Sequence, residues 1–243
     1  MKLSLYTLIL PRIELPFLEE WIGHNLSLGV DEIFIYDNGC TSTSTEPSLR
    51  KMNEAELEYK WTKKPDVDYN EHLSDNQIND ELNKIADKYN GKVQVRSWVY
   101  EKDHDDKYPK SQVTGYKHCV ENNPSDYWLF CDPDEFFVLQ QHKTFQDLIK
   151  DDEMKDIGAF WFGSEIYEPR KDGLPIGELK TTGKIKKSKG NWRYTGCNTK
   201  CLVKSPIFWA RKHDSNIHKV RSLANDSRHI GLDVVYFKHY MGG

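Results

Sequence analysis

Apolar residues come along this chain in short bursts, and the spacing inside each burst predicts an element. Runs at 3–10, 30–36 and 93–99 predict buried strands. Between the first two, Phe17, Leu18, Trp21, Ile22, Asn25 and Leu28 recur at helical spacing. A helix over 16–28 is therefore expected, with Pro16 in its first turn and Gly29 as its C-terminal cap. Residues 11–14 are expected as the loop before it. Strand, helix and strand with short connections form a βαβ unit, so the second strand should lie parallel to the first. Ligands on such sheets gather at the carboxyl ends of the strands. That rim would carry residues 11–14 and the polar turn at Asp37 and Asn38. Further helices are predicted over 75–89 and 111–122.

The run at 127–137 is the one that needs chemistry. Tyr127 to Cys131 is apolar, three carboxylates follow within four residues (Asp132, Asp134, Glu135), and Phe136 and Phe137 come next. The pattern predicts a fourth buried strand that delivers its carboxylates to a sheet edge, with a turn at Pro133. Carboxylates set between a buried strand and an aromatic pair are costly unless paired. A divalent cation would satisfy them, and hard oxygen ligands favour magnesium or manganese over zinc. After this point the pattern turns α+β and loop-rich. A short helix at 145–149 and strands at 157–162, 201–203 and 234–237 are expected to pack on the same sheet.

Composition narrows the alternatives. The chain has 243 residues, room for one large domain or two small ones. A net charge of -4 gives no global reason to expect nucleic acid as a partner. Five cysteines, an odd and irregularly spaced set, read as reduced thiols of a cytoplasmic protein rather than a disulfide framework. The apolar start is too short and lacks the cleavage-site residues of a signal peptide, so it is expected to be the first strand. No segment approaches the length of a transmembrane helix.

An ordered series of motifs resembles one enzyme family. Arg12, Glu14, Glu20, Trp21 and His24 look like its opening motif, and Asp37 and Asn38 continue it. Gln112 and His118 match its helix before the acidic motif. Asp132-Pro133-Asp134-Glu135-Phe136 matches its Asp-x-Asp-Glu-Phe, Phe162-Gly163-Ser164 its Phe-Gly-Ser, Lys200 its later lysine, and His239-Tyr240 its closing pair. The series is similar to GT-A-fold glycosyltransferases, within them the family 92-like group related to glycosyltransferase family 2. The resemblance implies an α/β nucleotide-diphospho-sugar transferase fold, with a Rossmann-like mixed central sheet flanked by helices. It implies a single domain over 1–243, with a nucleotide-sugar-binding half at 1–139 and an acceptor-binding half at 140–243. The reaction implied is transfer of a hexosyl or pentosyl unit from a nucleotide-sugar donor to a hydroxyl of a glycan or related acceptor, with inversion.

The resemblance also distributes roles. Asp134, Asp132 and His239 would hold Mn2+ or Mg2+, with Asp132 also reaching the donor. Arg12, Glu14, Asp37, Asn38, Gln112 and Lys200 would bind the donor, Lys200 at the diphosphate unless it is an ordinary surface lysine. A general base must take the acceptor proton; Asp214 and Glu165 are the candidates. One or two of Trp161, Phe162, Tyr167, Trp192, Tyr194 and Trp209 would line the acceptor cleft. Glu135 has no assigned role beyond orienting its neighbours. Two positions depart from the family pattern: Ile13 stands where it has Asn, and Glu165 where a small residue is common. Three other readings compete. Cys197, Cys201, His213 and His218 approach zinc-finger spacing. An Asp-x-Asp phosphatase would use Asp132 as nucleophile. The third is a binding protein that kept the fold without catalysis.

Overall fold

The computed structural model describes residues 1–9, 11–37, 73–98, 110–167, 200–204, 206–207, 221–222 and 226–240. Strand β1 (Leu3–Ile9) leads into helix α1 (Pro11–Ser27) and strand β2 (Glu32–Asp37). Helix α2 (Asp75–Lys88) precedes β3 (Val93–Ser97), and helix α3 (Lys110–Asn122) precedes β4 (Tyr127–Phe130). Then come β5 (Glu135–Leu139), α4 (Phe145–Lys150), β6 (Ala159–Tyr167), β7 (Lys200–Lys204), β8 (Pro206–Ile207), β9 (Arg221–Ser222), β10 (Ser227–Ile230) and β11 (Val235–Tyr240).

One sheet joins both halves of the chain. Its order is β3-β2-β1-β4-β7-β6-β11-β5, with β10 beside the first half of β6. The first four strands are parallel, as the βαβ pattern predicts. Strand order reverses between β1 and β4, because α1 carries the chain one way and α3 brings it back to the other side. Ligands of open α/β sheets sit at such a reversal. Beyond β4 the sheet is mixed: β7 runs antiparallel to β4 and β6, and β5 antiparallel to β11. This is the α/β class expected, a Rossmann-like half continuing into a mixed sheet.

Two apolar layers cover the faces. Leu3, Leu5 and Ile9 of β1 join Phe17, Leu18, Trp21 and Ile22 of α1, and α2 and α4 add Ile78, Leu82, Phe145 and Leu148. Tyr6 points the other way, to Tyr36, Phe130 and to Tyr116 and Cys119 of α3. The alternation is that of a strand buried on both sides. Cys119, Cys131 and Cys201 are buried thiols rather than disulfide halves.

Helix α1 is the axis of the assembly. It ends where Gly29 takes φ +92°. Gly29 N–H donates to Leu26 and Val30 N–H to Asn25, which closes the helix in a Schellman motif. The sheet curls round this helix, so that α1 packs against central β1 and also meets edge strand β5. There the Trp21 indole N–H donates to the Glu135 carbonyl at 3.0 Å, and His24 Nε2 lies 2.8 Å from the Phe137 carbonyl. A carbonyl only accepts, so His24 carries its proton on Nε2. The strand's open edge is thereby capped by side chains of α1.

Three expectations are corrected. The helix begins at Pro11, not Pro16, so residues 11–14 form its first turn rather than a loop. Pro11 at the first helical position loses no hydrogen bond. The 127–137 run is two strands, β4 and β5, joined by a turn. His239 lies inside β11, not after it.

Candidate active site

The acidic run is the turn from β4 into β5. Glu135 N–H donates to the Asp132 carbonyl at 3.1 Å, and Asp132 N–H donates to Glu135 Oε2 at 2.9 Å. Residue 132 and residue 135 thus tie each other, backbone to backbone and backbone to side chain. Pro133 is buried beneath them.

Two distant strands complete the cluster. Register places Cys201 beside Phe130, so Lys200, the first residue of β7, stands next to the end of β4. Its Nζ lies 2.5 Å from Asp132 Oδ2 and 3.1 Å from Glu135 Oε2. On β11, His239 is directly opposite Glu135. Its Nε2 is 3.5 Å from Asp134 Oδ2 and its Nδ1 3.9 Å from Glu135 Oε1. Lys200 and Glu135 are buried; Asp132, Asp134 and His239 are half-buried.

Burial pushes Glu135 up to about 7, against the pull of the Lys200 ammonium. Burial opposes the charge on Lys200, but Asp132 and Glu135 outweigh it and hold the ammonium well above its ordinary range. His239 is likewise penalised by burial, yet Asp134 and Glu135 raise it above an ordinary imidazole.

The donor set suits a hard divalent cation. One ligand atom each from Asp134, Glu135 and His239 lies within 4.8 Å of the others. At about 2.1 Å per bond, opposed ligands of one ion stand about 4.2 Å apart, so a small closure would bring the three into range. Two carboxylates and an imidazole are a set that manganese accepts. This group differs from the expected trio in one member. Glu135 belongs to it and Asp132 does not, although Lys200 pairs with both.

The remaining candidates divide. Asp37 ends β2 level with Ile9 and Ser97, on the same carboxyl rim as the acidic turn. Glu14 is in the first turn of α1, at the end of β1. Arg12 and Gln112 lie in the first turns of α1 and α3, but their side chains are outside the described set. Asn38 and Asp214 are outside the described residues altogether, as are Cys197, His213 and His218 of the zinc reading. Glu165 is buried on β6 in register with Lys238. Neighbours along a strand face opposite ways, so Glu165 is turned away from His239. Phe162 is core rather than cleft lining, while Trp161 is half-buried and meets the His229 ring. Trp192, Tyr194 and Trp209 lie outside the described residues. Lys200 is no surface lysine.

Some site features were not expected. Trp21 and His24, three apart on α1, hold the Glu135 and Phe137 carbonyls of β5; their shared helix face was readable, its partner was not. A ring cluster lies behind the rim. Tyr36 Oη is 2.9 Å from His118 Nδ1, and the Trp98 ring sits 4.8 Å from that of His118.

The chain is similar to known proteins in sequence and in fold. Residues 71–241 match the sequence profile of glycosyltransferase family 92, and the chain belongs to that family. A glycosyltransferase family 92 protein of Ricinus communis is 29% identical over 153 residues, which cover 62% of this chain and 19% of that protein. The match therefore spans about a fifth of that relative's length. Among solved structures, HddC from Yersinia pseudotuberculosis, complexed with GMP-PN, aligns over 97% of this chain and 92% of its own, with 12% identity and a TM-score of 0.41. TarS of S. aureus aligns over 84% and 47%, with 14% identity and a TM-score of 0.39. The mannosyltransferase PcManGT from Pyrobaculum calidifontis, in complex with GDP-Man and Mn2+, aligns over 65% and 34%, with 10% identity and a TM-score of 0.36. No helix among the described residues is long and apolar enough to cross a membrane.

Proposed function

We propose that this chain is a GT-A-fold, divalent-cation-dependent glycosyltransferase domain. It moves a hexosyl or pentosyl unit from a nucleotide-sugar donor to a hydroxyl of a glycan or related acceptor, with inversion. The observation that carries the reading is the convergence of Asp134, Glu135 and His239 at the carboxyl rim of the parallel half. A bound Mn2+ or Mg2+ would supply charge stabilisation for the departing nucleoside diphosphate.

The chain's own residues bind and orient. Asp134 and His239 face each other across the turn and would hold the cation, with Glu135 beneath them. Asp132 is presented at the end of β4, where it can accept from a donor ribose hydroxyl. Asp37 and Glu14 sit on the same rim, and Arg12 and Gln112 belong to the first turns of α1 and α3; Asn38 remains a donor-binding candidate outside the described residues. Direct displacement needs a base to take the acceptor hydroxyl proton. Asp214 is the first candidate, because Glu165 is turned to the other face of its ladder; Asp214→Asn and Glu165→Gln separate the two. The base variant should lose about 10²- to 10⁴-fold in kcat while donor binding persists. A single domain over 1–243, with a nucleotide-sugar-binding half at 1–139 and an acceptor-binding half at 140–243, is supported by the pairing of β4 with β7 and of β5 with β11 across the two halves. The reduced, buried thiols favour a cytoplasmic setting.

The test is at Asp134. Asp134→Ala should remove Mn2+-dependent transfer and donor hydrolysis while the protein keeps its cooperative melt. Full activity of that variant at low metal would overturn the reading.

A further inference from the structure

Lys200 stands in an unusual place for a donor-binding residue. Its side chain is 3% exposed, and its ammonium is spent on the protein's own carboxylates. Of its three protons, one points to Asp132 Oδ2 at 2.5 Å and another to Glu135 Oε2 at 3.1 Å. Glu135 Oε2 also accepts the Asp132 amide at 2.9 Å. The same oxygen thus joins the lysine, the turn backbone and, through its carboxylate, the face opposite His239. A lysine that bound the diphosphate would need to present its charge to the rim.

We propose that Lys200 is a positioning residue, an internal counter-ion that shapes the acidic turn from β7, and not a contact of the donor diphosphate. Three carboxylates within four residues repel one another. The Lys200 ammonium pairs with two of them, Asp132 and Glu135, and leaves Asp134 to face His239. Strand pairing makes this possible: β7 lies antiparallel to β4, and its first residue falls beside residue 131. Removing the lysine would leave a buried carboxylate without its partner, which is costly, and the turn would open toward water.

This inference rests on the proposed cation site for one of its two tests. Coulomb's law alone says that deleting a nearby positive charge should tighten cation binding. A positioning role says the reverse, so the sign of the change decides. Mn2+ binding to the full chain, followed by electron paramagnetic resonance without nucleotide, should weaken about tenfold or more in Lys200→Met, the usual cost of losing a residue that orients metal ligands. Equal or tighter Mn2+ binding by a Lys200→Met chain that melts cooperatively would overturn the proposal.

The second test uses the unaltered protein and needs no metal. Lysines are acetylated with acetic anhydride and read by mass spectrometry. Lys200 should stay unmodified in the native chain and react once the chain is denatured in urea. Modification of native Lys200 at the rate of surface lysines, such as Lys84 or Lys155, would refute the counter-ion role even if Lys200→Met fails to fold. If the wild-type chain binds no Mn2+ yet Lys200 is protected, the cation reading fails and the counter-ion stands.

Discussion

The Trp21 indole donates to the backbone carbonyl of Glu135 at 3.0 Å, joining residues 114 positions apart. It is a buried hydrogen bond from the helix that the sheet wraps to the first residue after the acidic turn. It couples the packing of α1 to the position of the candidate ligands.

Trp21→Phe keeps an aromatic body but removes that donor and some volume. A buried carbonyl left unpaired costs about 1–3 kcal/mol. The midpoint of urea unfolding should fall accordingly, with an unchanged denaturant slope. A midpoint equal to that of the parent chain would show that the bond contributes nothing.

The metal-free protein should lose stability as pH rises from about 5 to 8. Burial lifts Glu135 from an ordinary 4.5 to about 7. The folded chain therefore holds that proton more tightly than the unfolded one, and the advantage disappears as pH climbs through this interval. His239 is raised above 6.5, because Asp134 and Glu135 outweigh its burial, and its contribution is lost on passing its own folded value. Cation binding needs both groups deprotonated, so Mn2+ affinity should rise over the same interval. Melting curves and titration calorimetry at several pH values check both slopes.

His239→Ala should abolish stabilisation by Mn2+. A ligand at 100 times its Kd stabilises the folded state by about 2.7 kcal/mol. Scanning fluorimetry with and without Mn2+ should show that shift for the parent chain and little of it for the variant. An undiminished shift would place the ion elsewhere.

Gly115→Ala tests the layer under α3. A Cβ there would lie 2.2 Å from Tyr6 Oη. Tyr6 is held by the rings of Tyr36 and Tyr116, with centroids 4.8 and 4.5 Å away, so it cannot swing aside. Overpacking of this kind costs about 1–3 kcal/mol, measurable as a lower urea midpoint.

Much of the first half was legible in the sequence. Strands buried on both faces must be apolar throughout, so β1, β2 and β4 announce themselves, and α1 shows its face through Phe17, Leu18, Trp21 and Ile22. Other elements were not legible, for local reasons. β10 is a Ser-Arg-His-Ile segment whose first three residues are exposed, held by backbone pairing to β6 rather than by an apolar pattern. β8 and β9 have two residues each, too few for any period. The turn after β4 was legible at Pro133, but that a second strand, β5, begins at once at Glu135 was not, because a charged residue opens it.

Residue order alone was enough to single out Asp132, Asp134 and Glu135 as charges in need of partners, because unpaired carboxylates beside buried aromatics are costly wherever the chain goes. It could not say which partner each would take. Asp132 and Glu135 are met by Lys200, 68 and 65 residues away, and Asp134 by His239, 105 positions on, because β7 pairs with β4 and β11 with β5. Strand pairing over such separations depends on register and sheet order, which leave no local period in the sequence. The partners of the three carboxylates were therefore decided by tertiary structure: Asp132 tied to a lysine, Asp134 facing a histidine, and Glu135 buried between the two.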